Sequence, residues 1–469
     1  MPTTTDQESQ SEPLPSSMPT ERRRRWRPYQ VGFAVVYCLL FAGILFFKIP
    51  QALNSPQQQA SSSSVSPWTI FGHVCAGPKI YVPDTDAIFV LRAKDGSKCW
   101  ETDYFSEIPP VYANGVIYTD AYPDQRDVQM NTGPVIAVHA SDDKLLWSNA
   151  LPILPSHIVV AADSDTVYVT TQAPAHSDIL SNSNGIYALN ASNGAVRWHY
   201  PFVPPALEMS LPLIVGSTLY VGVGESLVAL NAETGELLWT QPLQFKGNDY
   251  AALAMTSANG VLYITASGYS TGNMIIQGDI HLFALRANNG KLLWNVTTNA
   301  VDLFYYDADP STLAPVVANG VVYMSTLIGV GGTDGARLYA MRASDGKPLW
   351  RYDILNRPQP SNGVIDDSAQ AVMFSQPIVA DGMLYTSNLN EVLALSAATG
   401  KVIWQQPAAI ADQPAGLALA NGTLIVHTGD TTYPGLADTV LAFSASNGTQ
   451  LWHRTFDETS AGYVPLFLT

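Results

Sequence analysis

The stretch LVALNAETGELLW, residues 227–239, carries the pattern that decides the fold. A short apolar strand leads into a polar turn with Gly235, and Trp239 follows four residues after the glycine. Eight copies of this pattern end in the tryptophans Trp100, Trp147, Trp198, Trp239, Trp294, Trp350, Trp404 and Trp452. Successive tryptophans are 41 to 56 residues apart, close to the length of one four-stranded propeller blade.

A second hairpin precedes each copy. It is clearest in PVVANGVVYMS from Pro315 and in PIVADGMLYTS from Pro377, where Asn-Gly and Asp-Gly supply the positive φ angles of a tight turn. Each unit therefore comprises strands A and B, a variable loop, and strands C and D, with the tryptophan on D. The sequence predicts an all-β, eight-bladed propeller of four-stranded antiparallel blades over residues 68–469, in which the eight tryptophans are structural.

The repeat also resembles a known family. The Ala-x-x-x-x-x-Gly-x-x-x-Trp spacing, seen from Ala229 to Trp239 and from Ala394 to Trp404, is similar to the tryptophan-docking repeat of PQQ-like (pyrroloquinoline-quinone-type) propellers. That family includes quinoprotein alcohol dehydrogenases and the non-enzymatic outer-membrane assembly protein BamB. The resemblance implies the propeller fold strongly and the function weakly, because one fold hosts many activities.

The N-terminal segment differs from the repeats. Residues 1–28 are polar and end in a cluster of arginines, which predicts a disordered cytoplasmic tail. The uncharged run from Val31 to Phe47 predicts a single transmembrane helix over residues 29–50, and the positive-inside rule leaves the rest of the chain outside the cytoplasm. Residues 51–67 then form a flexible stalk. The alternative is a cleaved signal peptide.

The charge of the chain is unevenly distributed. The formal net charge is −16, and because residues 1–50 hold six basic and four acidic residues, the remainder carries −18. A domain with this net negative charge repels nucleic acid and anionic lipid headgroups, and it attracts a cation or a basic protein surface. Nucleic acid is therefore not expected as a partner.

The C-terminus offers a ninth A-like strand. GYVPLFLT, from Gly462, either completes blade 1 and closes the ring or is surplus, in which case residues 74–76 are strand A of blade 1. Cys75 and Cys99 are the only cysteines beyond the apolar run and could form a disulfide in an oxidising compartment. Strands A and D of one blade are too far apart for such a bond, so the disulfide and C-terminal closure are expected together.

The B–C and D–A connections carry most of the extra length and leave from the same face of a propeller, which makes that face the candidate binding surface. Its densest aromatic and acidic group comprises Tyr305, Tyr306, Asp307, Asp309, Asp366 and Asp367. Carboxylates could hold Ca²⁺ and tyrosines could anchor a peptide or sugar, whereas the alternative is ordinary solvated loop residues. The glycine-rich stretch 329–335 is predicted to be a B–C loop and not a phosphate site.

Two functions from different classes remain. The leading one is a non-catalytic binding or scaffolding module, a monomeric propeller anchored in the cell membrane that presents its face to an envelope protein or glycan and needs no cofactor. The alternative is a quinoprotein dehydrogenase with PQQ and Ca²⁺, but the family's adjacent cysteines are missing, and haem and zinc motifs are absent from the sequence. His139 and His281 are expected to be structural. A sensor that signals through its tail is a third, weaker hypothesis.

Overall fold

A computed structural model describes residues 77–83, 88–101, 111–120, 134–142, 144–149, 151, 157–171, 185–202, 210–243, 250–269, 280–298, 314–330, 333–355, 374–388, 391–408, 416–428, 439–455 and 467–468. All of them belong to one compact unit, Ile70–Thr469. They form 32 strands in eight four-stranded antiparallel sheets, each of which is one blade. The eight-bladed all-β propeller predicted from the repeats is confirmed.

The strands follow the sequence in order A to D within each blade. Blade 1 has β1 (Lys79–Pro83), β2 (Ile88–Arg92), β3 (Lys98–Glu101) and, as its strand A, β32 (Phe467–Leu468). Blade 2 has β4 (Val111–Ala113), β5 (Val116–Asp120), β6 (Val135–His139) and β7 (Leu145–Asn149). Blade 3 has β8 (His157–Ala162), β9 (Thr166–Thr171), β10 (Gly185–Asn190) and β11 (Val196–Pro201). Blade 4 has β12 (Leu213–Val215), β13 (Thr218–Val223), β14 (Ser226–Asn231) and β15 (Leu237–Pro242).

The second half of the ring repeats this plan with longer strands in blades 5 and 6. Blade 5 has β16 (Tyr250–Ala258), β17 (Val261–Tyr269), β18 (Ile280–Arg286) and β19 (Leu292–Thr298). Blade 6 has β20 (Val316–Ala318), β21 (Val321–Val330), β22 (Thr333–Arg342) and β23 (Pro348–Leu355). Blade 7 has β24 (Ile378–Ala380), β25 (Met383–Ser387), β26 (Glu391–Ser396) and β27 (Val402–Pro407). Blade 8 has β28 (Gly416–Ala420), β29 (Thr423–Thr428), β30 (Thr439–Ser444) and β31 (Gln450–Thr455). Strands A of consecutive blades contact one another, which places them innermost.

The C-terminal strand closes the ring. Phe467 pairs with Tyr81 and Leu468 pairs with Ile80, so β32 takes the strand A position of blade 1 and also contacts β28 of blade 8. Of the two arrangements that the sequence allowed, C-terminal closure is the one observed. Cys99 is disulfide-bonded, and its partner lies outside the described residues, so the pairing with Cys75 stays a prediction.

Seven of the eight docking tryptophans contact a glycine in the C–D turn of the following blade. At the blade 7 turn, Gly400 has a φ of +68°, and a Cβ there would lie 2.5 Å from Cε3 of Trp350 in blade 6. Trp350 Nε1 donates a hydrogen bond to Ala397 O at 2.9 Å, and Tyr323 OH donates to the same oxygen at 3.1 Å. The same double donation reaches the carbonyl oxygens of Ala232 and Ala343 at two other junctions. Glycine is needed at this turn because any side chain would enter the indole ring.

The junction between blades 1 and 2 departs from this pattern. Blade 2 has Asp143 where the other turns have glycine. Trp100 is 5% exposed, and within the described part of the chain its Nε1 has no hydrogen-bond partner, whereas Tyr81 OH still donates to Ala140 O at 3.2 Å. The disulfide at Cys99 lies next to this weaker junction and adds a covalent link beside it.

A β-bulge precedes every docking tryptophan. In blade 4, Ala229 pairs with Trp239 and Leu230 pairs with Leu237, which leaves Leu238 as the extra residue. The same register shift occurs in each blade. Because the bulge interrupts the alternation of side chains, Leu237 and Leu238 are both 50% exposed.

Two further predictions from the sequence, for residues 329–335 and 29–50, have different outcomes. The stretch 329–335, predicted to be a B–C loop, is mostly strand: β21 and β22 extend into it and Val330 pairs with Thr333, which leaves only residues 331–332 as the B–C connection. The predicted membrane helix at 29–50 lies outside the described residues, and inside them no helix is long and apolar enough to cross a bilayer.

Candidate functional site

The six residues predicted to form the site lie outside the described residues. The group from Tyr305 to Asp309 belongs to the connection between blades 5 and 6, and Asp366 and Asp367 belong to the next connection. The described strands that lead into them are β19, which ends at Thr298, and β23, which ends at Leu355. Their binding role stays a prediction, and the structure gives the blades that carry them.

The connections on the two faces of the ring differ strongly in net charge. Between the strand bounds, the B–C and D–A connections contain 21 acidic and 3 basic residues, a net charge of −18. The A–B and C–D turns contain 9 acidic and 5 basic residues, a net charge of −4. Because both long connections start at the same ends of the strands, the ring has one strongly acidic face. We refer to it as the acidic face.

A polar position recurs near the start of strand C, close to the acidic face. It lies three residues before the alanine that pairs with the docking tryptophan, and it is His281 in blade 5, Arg337 in blade 6 and Glu391 in blade 7. Two of these side chains bind the residue opposite them on strand D. His281 Nδ1 is 3.0 Å from Thr297 Oγ1, and Arg337 binds Asp353.

The Arg337–Asp353 pair is bidentate. Arg337 Nε donates to Asp353 Oδ1 at 2.6 Å and Nη2 donates to Oδ2 at 2.7 Å, while Nη1 donates to Tyr339 OH at 3.3 Å. The side chains are 16% and 26% exposed, so water screens the pair only in part. The hydrogen bonds from Arg337 hold the pKa of Asp353 below its ordinary value, and the carboxylate raises the pKa of Arg337. Both groups therefore stay charged through neutral pH.

This pair faces blade 5. Leu338 and Ala340 on the same strand pack against blade 7, and alternation turns Arg337 and Tyr339 to the other side of the sheet. Tyr339 indeed packs with residues of blade 5, among them Leu282. The charged pair thus lies in the cleft between blades 5 and 6, whose D strands lead into the connections that carry the predicted site residues.

Two further side chains complete the cleft. Thr326 pairs with Arg337 across strands B and C, is 4% exposed, and its Oγ1 has no hydrogen-bond partner among the residues described. Arg351 is 64% exposed, with Nε 3.6 Å from Asp353 Oδ2. Two guanidinium groups against one carboxylate give the cleft a local charge of about +1 beside an acidic face. Such a set can orient a polar partner, and it contains no nucleophile beside a general base.

Metal binding has no support in the described ranges. Nowhere in them do three His, Cys, Asp or Glu side chains come close enough to hold an ion. His139 Nδ1 lies 2.7 Å from Asp142 Oδ1 within its own turn. The carboxylates proposed as Ca²⁺ ligands from the sequence lie outside those ranges.

The repeats of this chain match a known family. A family model described as outer membrane protein assembly factor BamB matches residues 51–206, 131–331 and 278–463, so every docking tryptophan lies within a match. The chain belongs to the BamB family. This confirms the PQQ-like resemblance that the repeats implied.

Individual relatives of the BamB family and its neighbours share limited identity with the chain. BamB of Yersinia pestis is 24% identical over 345 residues, which cover 70% of this chain and 75% of that protein. The dehydrogenase subunit of alcohol dehydrogenase (quinone) from Gluconobacter oxydans is 32% identical over 187 residues, but these cover 38% of this chain and only 24% of that subunit. Among solved structures, the dihydro-heme d1 dehydrogenase NirN superposes with a TM-score of 0.54 at 9% identity, over 81% of this chain and 73% of NirN. That likeness shows the fold alone.

The cleft residues were not anticipated from the sequence. A signal was nevertheless present, because aligning the eight repeats puts His281, Arg337 and Glu391 in one column that other blades fill with Ala, Pro, Gly, Ser or Thr. The three titratable residues at one repeat position distinguish blades 5 to 7 from the other five blades.

Proposed function

We propose that this BamB-family propeller is a non-catalytic binding or scaffolding module that takes a protein or glycan partner on its acidic face. The observation that carries the proposal is the segregation of loop length and acidic charge to that face. The opposite turns have two to five residues, and tryptophan docking holds seven of the eight C–D turns in place. Variable loops on a rigid scaffold are the usual arrangement of a binding surface.

The proposal includes a membrane anchor. Residues 29–50 would cross the bilayer once, with the N-terminal tail in the cytoplasm, residues 51–67 as a stalk and the propeller outside. The arginines before the apolar run support this orientation. The names of the BamB relatives, which are outer membrane protein assembly factors, agree with a place in the cell envelope and with a protein as partner.

A PQQ-dependent dehydrogenase is the second candidate, favoured by the similarity to the Gluconobacter subunit. The residues do not fit it well. The dehydrogenases of the family have adjacent cysteines, whereas the neighbours of Cys99 are Lys98 and Trp100, and Cys99 is in a disulfide. We therefore assign no chemical step to a quinone here.

The face assignment can be tested by photo-crosslinking in membranes. A photoreactive amino acid at Tyr305 or Asp366 would report on the acidic face, and the same group at the exposed Asn289, in the C–D turn of blade 5, would be the matched control. We expect a salt-sensitive adduct from the two acidic-face positions and none from Asn289. Equal adducts from all three positions would contradict the proposal.

A titration of the full-length chain with PQQ and Ca²⁺ separates the two functions. The quinone absorbance reports binding, and reduction of an artificial acceptor with alcohols reports turnover. Saturable binding with turnover would replace the scaffold by an oxidoreductase. No binding, together with crosslinks from the acidic face, is the expected result.

A further inference from the structure

The outer edge of blades 5, 6 and 7 combines exposed apolar and basic side chains. The apolar members are 37 to 54% exposed, and they are Leu292, Leu293, Leu349, Val402 and Ile403. The basic members are exposed, lie one or two residues before the apolar ones, and are Lys291, Lys347 and Lys401. We call these eight residues the rim strip.

The fold explains why these positions are exposed but not why they are apolar. The bulge before each tryptophan turns two successive side chains to solvent in blades 2 to 8, whereas Cys99 in blade 1 is half-buried. In blades 1, 3 and 8 one of the two positions is polar (Lys98, Arg197 and Gln450), whereas blades 2 and 4 also carry an exposed leucine pair, preceded in blade 2 by Lys144. An apolar pair is therefore not required by the turn, and neighbouring blades that share one form an interaction surface.

Charge distinguishes the rim strip from an otherwise identical site in blade 4. Leu237 and Leu238 are also exposed, but Glu236 and Glu233 precede them. In blades 5 to 7 the residue equivalent to Glu236 is lysine each time. Arg286, at the end of strand C in blade 5, adds positive charge to the same side of the ring, whereas in blade 6 Asp345 offsets part of the charge of Arg342 and Lys347, at 3.1 and 3.7 Å.

We propose that the rim strip rests on the anionic headgroup region of the bilayer. This rests on the anchor included in the proposed function. Leucine side chains beside lysines are the composition of surfaces that lie in a membrane interface. Each lysine close to an anionic surface contributes favourably to membrane binding. Salt screens the repulsion between the acidic face and the lipid headgroups beyond a Debye length of about 8 Å. The repulsion expected from the net charge of the chain therefore acts mainly at the face and not at the rim.

The tether is short enough to allow this contact. Residues 51–76 join the predicted span to the first described strands. A flexible chain of that length has an end-to-end distance of roughly 30 Å, so the proposed anchor raises the local concentration of the rim strip at the bilayer. Contact through the outer edge leaves the acidic face free for a partner.

The experiment uses the full-length chain in lipid nanodiscs, with Cys38→Ser to remove the cysteine of the apolar run. An environment-sensitive NBD dye is placed at Leu293→Cys in the rim strip or at Leu238→Cys, its matched control in blade 4. With anionic lipid, we expect a blue shift and an intensity gain at position 293 and no change at position 238. With zwitterionic lipid, the response at position 293 should be much smaller.

Charge removal provides the second readout. Lys291→Gln combined with Lys401→Gln should reduce the bilayer-contacting population about thirtyfold. Equal responses at positions 293 and 238, or no dependence on anionic lipid, would overturn the proposal. A response at position 293 that follows protein concentration and not lipid would also overturn it, and would assign the strip to a second copy of the chain. Failure of the anchor is distinguishable, because the chain would then not enter nanodiscs at all.

Discussion

Replacing Gly400 with alanine should destabilise the propeller by more than the cost of placing an alanine at a positive φ. The φ of +68° costs an L-residue about 1 to 2 kcal/mol. The new Cβ would lie 2.5 Å from Cε3 and 2.7 Å from Cδ2 of Trp350, so the indole must move, at about 1 to 3 kcal/mol. That movement also strains the 2.9 Å hydrogen bond to Ala397, worth about 1 kcal/mol. We expect a total loss of about 3 to 6 kcal/mol in the free energy of unfolding, measured by urea denaturation followed by circular dichroism.

The same blade supplies the control. Gly382 has a φ of +77°, and a Cβ added there would have no atom within 4 Å, so Gly382→Ala should lose only the conformational part, about 1 to 2 kcal/mol. In a Trp350→Leu background, Gly400→Ala should fall to the same level because the indole is gone. Equal losses for Gly400→Ala and Gly382→Ala in the wild-type chain would refute the docking argument.

Three other contacts can be tested in the same way. Burial raises the pKa of Tyr168 to about 12. The stability that its neutral phenol contributes is therefore present below about pH 10 and lost towards pH 12. Thermal melts of wild type and Tyr168→Phe should diverge by ~2 kcal/mol over that range. Removing residues 467–469 exposes the inner edge of β1, and hydrogen exchange should rise at Tyr81 but not in blade 4. Arg337→Met should lower the free energy of unfolding by ~2 kcal/mol because Asp353 loses its bidentate partner. Adding Asp353→Leu to this variant should restore most of the urea midpoint. A double variant as unstable as the single one would contradict this.

The blade plan could be predicted because its signals repeat. At seven junctions the tryptophan and the glycine are fixed by a steric contact between neighbouring blades, and eight copies of the tryptophan remove ambiguity about strand D. The shared carbonyl was missed, although a tyrosine follows the A–B turn at a constant distance in most blades, as in Tyr323 and Tyr385. Blade 8 has Ile425 there, so the tyrosine strengthens docking without being essential to it.

The candidate site was harder to predict for a physical reason. Loop acids such as Asp307 and Asp366 stand out by composition, yet composition does not say which strands bring which side chains together. The Arg337–Asp353 pair depends on cross-strand register between residues sixteen apart, and the bulge near Ala340 shifts that register by one. A simple count along the sequence would turn Asp353 to the wrong side of the sheet.

Closure of blade 1 by β32 also determines when the protein can finish folding. Tyr81 is among the first ring residues to leave the ribosome, but its partner Phe467 is among the last. Until then every growing chain is an open arc with two uncovered edges, and sheets with such edges pair readily with other chains. A chain that stops early would keep those edges. Joining β1 and β32 in one sheet therefore makes synthesis of β32 a condition for closing the ring, and we expect products that stop before β32 to be degraded faster than the closed propeller.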